Sequence, residues 1–343
     1  MMQTYRNDGQ DGRPDPAVVL SRAQTYPGTI QSVEAIQTHL SWVFLADGYA
    51  YKLKKPLRLD FVDFSTAQAR KFYCEEELRL NRRLAPDVYL AVVALREDAV
   101  GRLTLGEVGE PVEWLVKMRR LPRERMLDSA IALRSVRNED IDSVAATLAR
   151  FYRSLEPIEM SSAAYRERLA LDIASHAQAL EDPAYVLPAP QVRRVAHELL
   201  AFVDRAADVF ERRLSAGCIV EGHGDLRPEH VCLLAQPVVI DCLEFRRDFR
   251  VLDLADELAY LALECERLGS ASTGEALVTA CLRTLADKVP PELLHFYGGY
   301  RALIRATIAA WHINDAPAAD IGRWIGRACD YLRLAEIHTG ACG

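Results

Sequence analysis

Two carboxylates sixteen positions apart, Asp225 and Asp241, carry the strongest chemical signal in the sequence. Asp225 lies in the run Glu221-Gly222-His223-Gly224-Asp225-Leu226-Arg227-Pro228-Glu229-His230. Asp241 follows the apolar Val238-Val239-Ile240 and precedes Cys242-Leu243-Glu244-Phe245. Val231–Leu234 and Val238–Asp241 read as two strands joined by the turn Ala235-Gln236-Pro237, which brings both carboxylates to one end of a hairpin. Phosphoryl transfer needs such a pair: one carboxylate orients the attacking hydroxyl and accepts its proton, and the other holds Mg²⁺ on the nucleotide phosphates. A rival use of the same island is a zinc site from His223, His230, Cys232 and Cys242. Their spacing matches no structural zinc pattern, and alternate residues of a strand point to opposite faces, so the carboxylate reading is preferred.

The elements expected to position these residues fall into two regions. Trp42–Ala46 and Tyr49–Lys54 are apolar-rich runs joined at Asp47-Gly48, a hairpin signature. Ser65 is the expected cap of a helix running to Leu84, with a charged face through Arg70, Lys71, Glu75, Glu76 and Glu77. Val88–Leu95 and Glu113–Met118 follow as strands, giving an antiparallel β-β-α-β-β order. Beyond Leu121-Pro122 the pattern changes to amphipathic helices, expected at Asn138–Leu155, Ala189–Leu214, Leu252–Leu268, Thr273–Asp287, Pro291–Trp311 and Asp320–His338. The expected organisation is therefore a loose tail over residues 1–30, a β-rich lobe over 31–118, a linker over 119–123, and a helical lobe over 124–343 that contains the hairpin region 218–245.

These residues resemble the aminoglycoside phosphotransferase family, a branch of the protein-kinase-like fold. His223-Gly224-Asp225-Leu226, with a metal-binding position five residues after the Asp and a later strand ending in Asp, is similar to that family's catalytic segment. Four further runs resemble a bacterial subfamily whose members are often fused to a C-terminal P-loop ATP-binding domain: Thr38–Leu45, Tyr51–Pro56, Cys74–Leu84 and Lys117–Pro122. No G-x-x-x-x-G-K-[ST] occurs in the sequence, so that domain is not expected here, and a separate P-loop ATPase protein is carried as a candidate partner.

The resemblance implies an α+β, protein-kinase-like bilobal fold and an ATP-dependent phosphotransferase acting on a hydroxyl of a small molecule. Asp225 matches the base and His223 a residue orienting its loop. Asp241 matches the metal ligand. His230 stands where the family has Asn; imidazole suits Mn²⁺ better than Mg²⁺. Lys52 matches the lysine that grips the nucleotide phosphates, with Lys54 two residues on and on the same face as a contender. Glu77 is the expected partner of that lysine, with Glu76 as the alternative. Ser41, in the Thr38–Ser41 turn, is placed toward a phosphate, and the adenine at backbone groups near Lys117, Met118 and Arg119. Asp253 is a candidate carboxylate for holding the catalytic loop, with a helix cap as the alternative. An alternative reading is a nucleotide-binding pseudokinase that transfers nothing.

Composition narrows the partners. Lys and Arg number 42 against 49 Asp and Glu, a net charge of −7 without a basic block, so no nucleic-acid partner is expected. The longest apolar run, Val88–Leu95, is far below the roughly 20 residues that span a bilayer, and no membrane association is expected. The polar first residues lack a signal-peptide core, which predicts a cytoplasmic protein. Eight cysteines without a C-x-x-C pair read as reduced, buried thiols. The acceptor is left open, with Asp287, Glu292, His295, Tyr297, Tyr300, Trp311, His312 and Asp315 as residues offered to it.

Overall fold

The computed structural model describes residues 14–59, 61–314 and 316–342. These divide into two compact units: residues 14–123 with Val239–Arg247, and Glu124–Val238 with residues 248–342.

The first unit holds helix α1 (Pro16–Leu20), strands β1 (Val33–Gln37), β2 (Ser41–Ala46), β3 (Tyr49–Lys54), β4 (Arg58–Leu59) and β5 (Val62–Asp63), helix α2 (Ala67–Asn81), and strands β6 (Tyr89–Glu97), β7 (Leu103–Thr104) and β8 (Glu110–Arg119). Six of the strands form one sheet in the order β1-β2-β3-β8-β6-β7, and every pairing in it is antiparallel. The β2–β3 turn is made by Asp47 at φ 46°, whose carboxylate also accepts from the Gln31 amide at 3.1 Å. The expected loose tail is corrected over its described part. Asp15 caps α1 through the Ala17 amide, and Val19, Leu20 and Tyr26 are buried against Phe44, Tyr51 and Leu53. Apolar burial of this size, about 1.5–3 kcal/mol per large side chain, holds the segment to the sheet. Residues 1–13 of that tail lie outside the described residues.

Helix α2 is capped by Thr66 rather than Ser65; the Thr66 hydroxyl accepts from the Ala69 amide at 3.1 Å. It ends at Asn81, a turn before the expected Leu84. Its charged residues are not one solvated face. Arg70, Cys74, Glu77, Leu80 and Asn81, three or four positions apart apart from the last pair, are buried, whereas Glu75 and Phe72 face outward. Arg70 is admitted to that inner face by its ion pair with Glu113 of β8.

The second unit comprises helices α3 (Leu127–Ala132), α4 (Asn138–Arg153), α5 (Ser162–Leu180), α6 (Ala189–Arg205) and α7 (Ala207–Ser215), the short strands β9 (Ile219–Glu221), β10 (Val231–Cys232), β11 (Val238–Val239, at which the chain returns to the first unit) and β12 (Val251–Asp253), then helices α8 (Leu254–Arg267), α9 (Ala271–Leu285), α10 (Pro291–Trp311) and α11 (Ala318–Gly340). A single expected helix over Ala189–Leu214 is instead two, broken at Ala206. Helix α5 was not anticipated, because its buried stripe is only Tyr165, Leu169, Ile173, Ala177 and Leu180, one residue per turn among alanines and charges. β9 and β12 pair antiparallel, with Glu221 opposite Val251. The core packs Tyr165, Phe202 and Phe210 against Phe296, Tyr297 and Leu303, with the Phe202 and Phe296 rings stacked 4.7 Å apart.

The hairpin region 218–245, expected wholly in the helical lobe, is shared between the units. Residues 239–247 join the first one because Asn81 accepts from the Cys242 amide at 2.9 Å, Tyr89 accepts from the Asp241 amide at 3.1 Å, and Phe245 packs on Phe61. All eight cysteines are free and seven are buried, and burial pushes the Cys74 thiol up to about 12.

Candidate functional site

In the first unit, Lys52 and Lys54 project from one face of β3 because side chains two apart on a strand share a side. Both reach Glu77 on α2. Lys52 Nζ donates to Glu77 Oε1 at 2.9 Å and Lys54 Nζ donates to Oε2 at 2.7 Å, so the question of which lysine pairs with the helix glutamate resolves to both. Glu76 instead binds Arg79 on the exposed side of the helix. Lys52 Nζ also donates to Asp241 Oδ1 at 2.5 Å, and Lys54 Nζ donates to Glu244. The result is a chain in which carboxyl and ammonium groups alternate, Asp241, Lys52, Glu77, Lys54, Glu244.

Only one end of this chain meets solvent. The side chains of Glu77 and Lys54 are 0% exposed and that of Asp241 is 43% exposed. Burial alone would lower the Lys52 proton affinity, but Asp241, Glu77 and Glu244 raise it well above the usual lysine range. Burial likewise would raise the Glu77 carboxyl, and the two ammonium groups hold it below its ordinary value. Both groups are therefore charged at neutral pH. Asp241 adopts φ 63°, a conformation uncommon for a residue with a Cβ and one that collects at functional positions. Glu244 was not picked out from the sequence. The signal for it was the pair of same-face lysines, which needs more than one buried carboxylate.

In the second unit, Asp225 sits in an irregular loop between β9 and β10. Tyr260 of α8 donates its hydroxyl to Asp225 Oδ1 at 3.0 Å, and Arg227 Nη2 donates to Oδ2 at 2.9 Å. The loop backbone is held by Glu257 of α8. Its Oε1 accepts from the His223 amide at 2.5 Å and from the Gly224 amide, and its Oε2 accepts from the Tyr152 hydroxyl at 2.8 Å. Gly222 is required beside it, since a Cβ there would stand 2.7 Å from Glu257 Oε2, and Gly224 takes φ 85°. Asp253 does not hold the loop. It caps α8 through the Ala255 amide and binds Arg213, with Nε to Oδ2 at 2.8 Å. His223 is buried, and its Nδ1 accepts from the Asp225 amide at 3.2 Å, so it shapes the loop from inside.

His230 does not fit the metal-ligand role. Its Nδ1 donates to the Asp225 carbonyl at 2.8 Å and its Nε2 lies 3.2 Å from Arg227 Nη2, so both ring nitrogens are engaged and a cation would have to displace a guanidinium. Among the described residues no group of three or more His, Cys, Asp or Glu side chains is arranged to hold a metal ion. Asp241 does fit Mg²⁺ carried by a nucleotide, which keeps its waters and phosphate ligands and takes one or two protein carboxylates.

The remaining candidates are placed as follows. Ser41 is buried, and its amide donates to Thr38 Oγ1 at 3.1 Å, closing the turn Thr38–Ser41. Lys117 extends over the Tyr49 ring, 4.4 Å from its centroid. Met118 is buried opposite Ala50, and Arg119 pairs with Tyr49. At 117–119, where the adenine edge is expected, β8 pairs with β3 over Lys117–Arg119 and with β6 at Lys117 and Met118. The Arg119 amide donates to the Val88 carbonyl and the Arg120 amide to the Gly48 carbonyl, each at 2.9 Å. Of the residues offered to an acceptor, Tyr297 and Asp287 are committed to Asp253 and Arg213, Tyr300 to Asp172, and His295 to His338. Asp315 lies outside the described residues.

Comparison with known proteins bears on the fold. No family model matches the sequence. An uncharacterized protein of Mycobacterium tuberculosis is 32% identical over 324 residues, which is 91% of this chain and 62% of that protein. The chain thus spans less than two thirds of the length of the curated relatives it matches. A choline/ethanolamine kinase family protein from Mesorhizobium loti superposes with a TM-score of 0.53 at 15% identity, covering 90% of this chain and 92% of that one. The GDP complex of an aminoglycoside 2'-phosphotransferase superposes with a TM-score of 0.56 at 14% identity, covering 92% and 95%. The antiparallel sheet with its packed helix, followed by a helical unit, is the kinase-like fold that these kinase and phosphotransferase structures share.

Proposed function

We propose that this protein is an ATP-dependent phosphotransferase that moves the γ-phosphoryl group of ATP to a hydroxyl of a small molecule. The observation that carries the reading is the set Lys52, Glu77 and Asp241, ordered by two ion pairs at 2.9 and 2.5 Å, in a chain whose other unit presents Asp225 on a braced His-Gly-Asp loop. Lys52 supplies the fixed positive charge that phosphate oxygens require, and the solvent-facing Asp241 supplies one oxygen ligand to Mg²⁺. Mg²⁺ neutralises charge on the phosphates when it is bound. Asp225 receives the proton of the acceptor hydroxyl as its oxygen bonds to the γ-phosphorus and the bond to ADP breaks. Its oxygens are oriented by the hydrogen bonds from Tyr260 and Arg227. Positioning and charge compensation of this kind supply most of the rate in phosphoryl transfer.

Small-molecule transfer within the cytoplasm, and a separate P-loop ATPase as partner, remain parts of the same proposal. The described residues contain no helix long and apolar enough to cross a membrane. The test is the unfolding midpoint with ATP, MgATP and MnATP, because a ligand of the native state raises stability by RT ln(1 + [L]/Kd). A metal-dependent rise is expected, with no added preference for Mn²⁺ now that His230 is engaged elsewhere. Acceptor-dependent release of ADP across a panel of hydroxyl compounds then establishes transfer. No rise with any nucleotide overturns the reading, and a rise with no transfer reduces it to nucleotide binding.

A further inference from the structure

Resting on that reading, we infer that Lys54 and Glu244 form a fixed counter-ion pair that keeps Glu77 charged and in place, which frees Lys52 and Asp241 to serve the nucleotide. The geometry that points to this is the division of labour along the five-membered chain. Glu77 is wholly buried and uses both oxygens, one for each lysine. A carboxylate in that position must keep a cation beside it, since an unpaired buried charge costs several kcal/mol. Were Lys52 its sole partner, drawing Lys52 toward phosphate oxygens would strip Glu77 of compensation each time a nucleotide bound.

Lys54 removes that conflict. Its ammonium is as buried as Glu77 and rests between Glu77 and Glu244, with Nζ over the Phe64 ring, 5.2 Å from its centroid. It has no route to a solvent-borne ligand, so it is unsuited to gripping phosphate. Lys52 is different: its side chain is 13% exposed and its second partner, Asp241, is the solvent-facing member of the chain. The pair also ties three elements together. Glu244 lies three residues beyond Asp241, Lys54 is on β3 and Glu77 is on α2, so the inner ion pairs set the position of the segment that carries the metal ligand. Lys54 and Glu244 are thus positioning residues, acting through Glu77 and Asp241.

The test compares wild-type protein with the double variant Lys54→Met with Glu244→Leu, which removes both buried charges together and leaves apolar groups of similar size. Replacing a buried ion pair in this way is often neutral for stability. The expected result is an unfolding midpoint within a few degrees of wild type and an MgATP affinity weakened at least tenfold. Lys54→Arg, which keeps the charge, restores most of that affinity. In a Lys52→Met background the double change costs no further affinity, because the pair acts through Lys52 and its partners. If the double variant does not fold, Glu244→Gln carries the test, with MgATP affinity expected to fall at least threefold. A folded variant that binds MgATP as wild type does overturns the positioning role while leaving the proposed phosphotransferase standing. Wild-type protein that binds no MgATP overturns both.

Discussion

At the scale of single residues, the assignments separate by which step each substitution affects. Asp225→Ala removes the proton acceptor while leaving the first unit intact, and kcat is expected to fall by about 10²–10⁴-fold, the range that general-base catalysis supplies. MgATP affinity should stay close to wild type, and an unchanged kcat in a steady-state assay refutes the role. Lys52→Met removes a charged hydrogen-bond donor and should weaken MgATP binding by about 1.5–3 kcal/mol, read by calorimetry. The residues that sequence reasoning passed over are those whose importance comes from a partner distant in the chain. Glu244 and Tyr260 carry no motif; each is defined by the lysine or aspartate that it touches.

At the scale of elements, helix α8 is the brace of the catalytic loop. Within its first two turns it contributes Glu257 to the amides of His223 and Gly224 and Tyr260 to the Asp225 carboxylate. Glu257→Gln keeps the shape and removes the charge that two loop amides share, so kcat should drop while MgATP affinity is retained. Hydrogen exchange of the loop amides provides the structural readout, and unchanged protection refutes the bracing role. Gly222→Ala drives a methyl into Glu257 and should destabilise the second unit by about 1–3 kcal/mol, measured by denaturant unfolding. Sequence spacing located α2, α4 and α8 to within a few residues, because their apolar or capped positions recur at helical intervals. It misread the inner face of α2, where Arg70 and Glu77 are buried by pairing rather than by apolarity.

At the scale of the whole molecule, buried charges make stability sensitive to acid. Burial would raise the Glu264 carboxyl, but Arg305, Arg267 and the Tyr331 hydroxyl outweigh it and hold the group below its ordinary value. A carboxyl depressed on folding stabilises the protein above its unfolded value, and that stability is lost as pH falls through the folded value. Glu264→Gln leaves two arginines short of an anion, so at pH 7 it should cost about 3–5 kcal/mol in unfolding free energy. The difference from wild type should shrink as pH falls below about 4.5, where the unfolded chain's carboxyl takes up its proton, and vanish once pH has passed the lower native value. A difference that does not vary with pH would show that Glu264 acts through packing alone.

Local chemistry was legible in the sequence wherever one short segment specifies it. The His-Gly-Asp loop, the β2–β3 hairpin and the free cysteines depend on contiguous residues, on strand periodicity, or on composition, whereas the strand expected to run to Asp241 stops at Val239 and leaves Asp241 at φ 63°. The order of antiparallel strands followed by helices comes from those same periodicities, and its kinase-like character from the resemblance of the His-Gly-Asp segment. Tertiary structure alone decided which buried polar groups meet: Lys54 with Glu244, Asp225 with the Arg227 guanidinium and the Tyr260 hydroxyl, Glu257 with the amides of its loop. It also moved residues 239–247 into the first unit and engaged both nitrogens of His230. Those outcomes rest on long-range pairing, where an ion buried away from water must find its counter-charge wherever the fold brings one, and no local spacing records that choice.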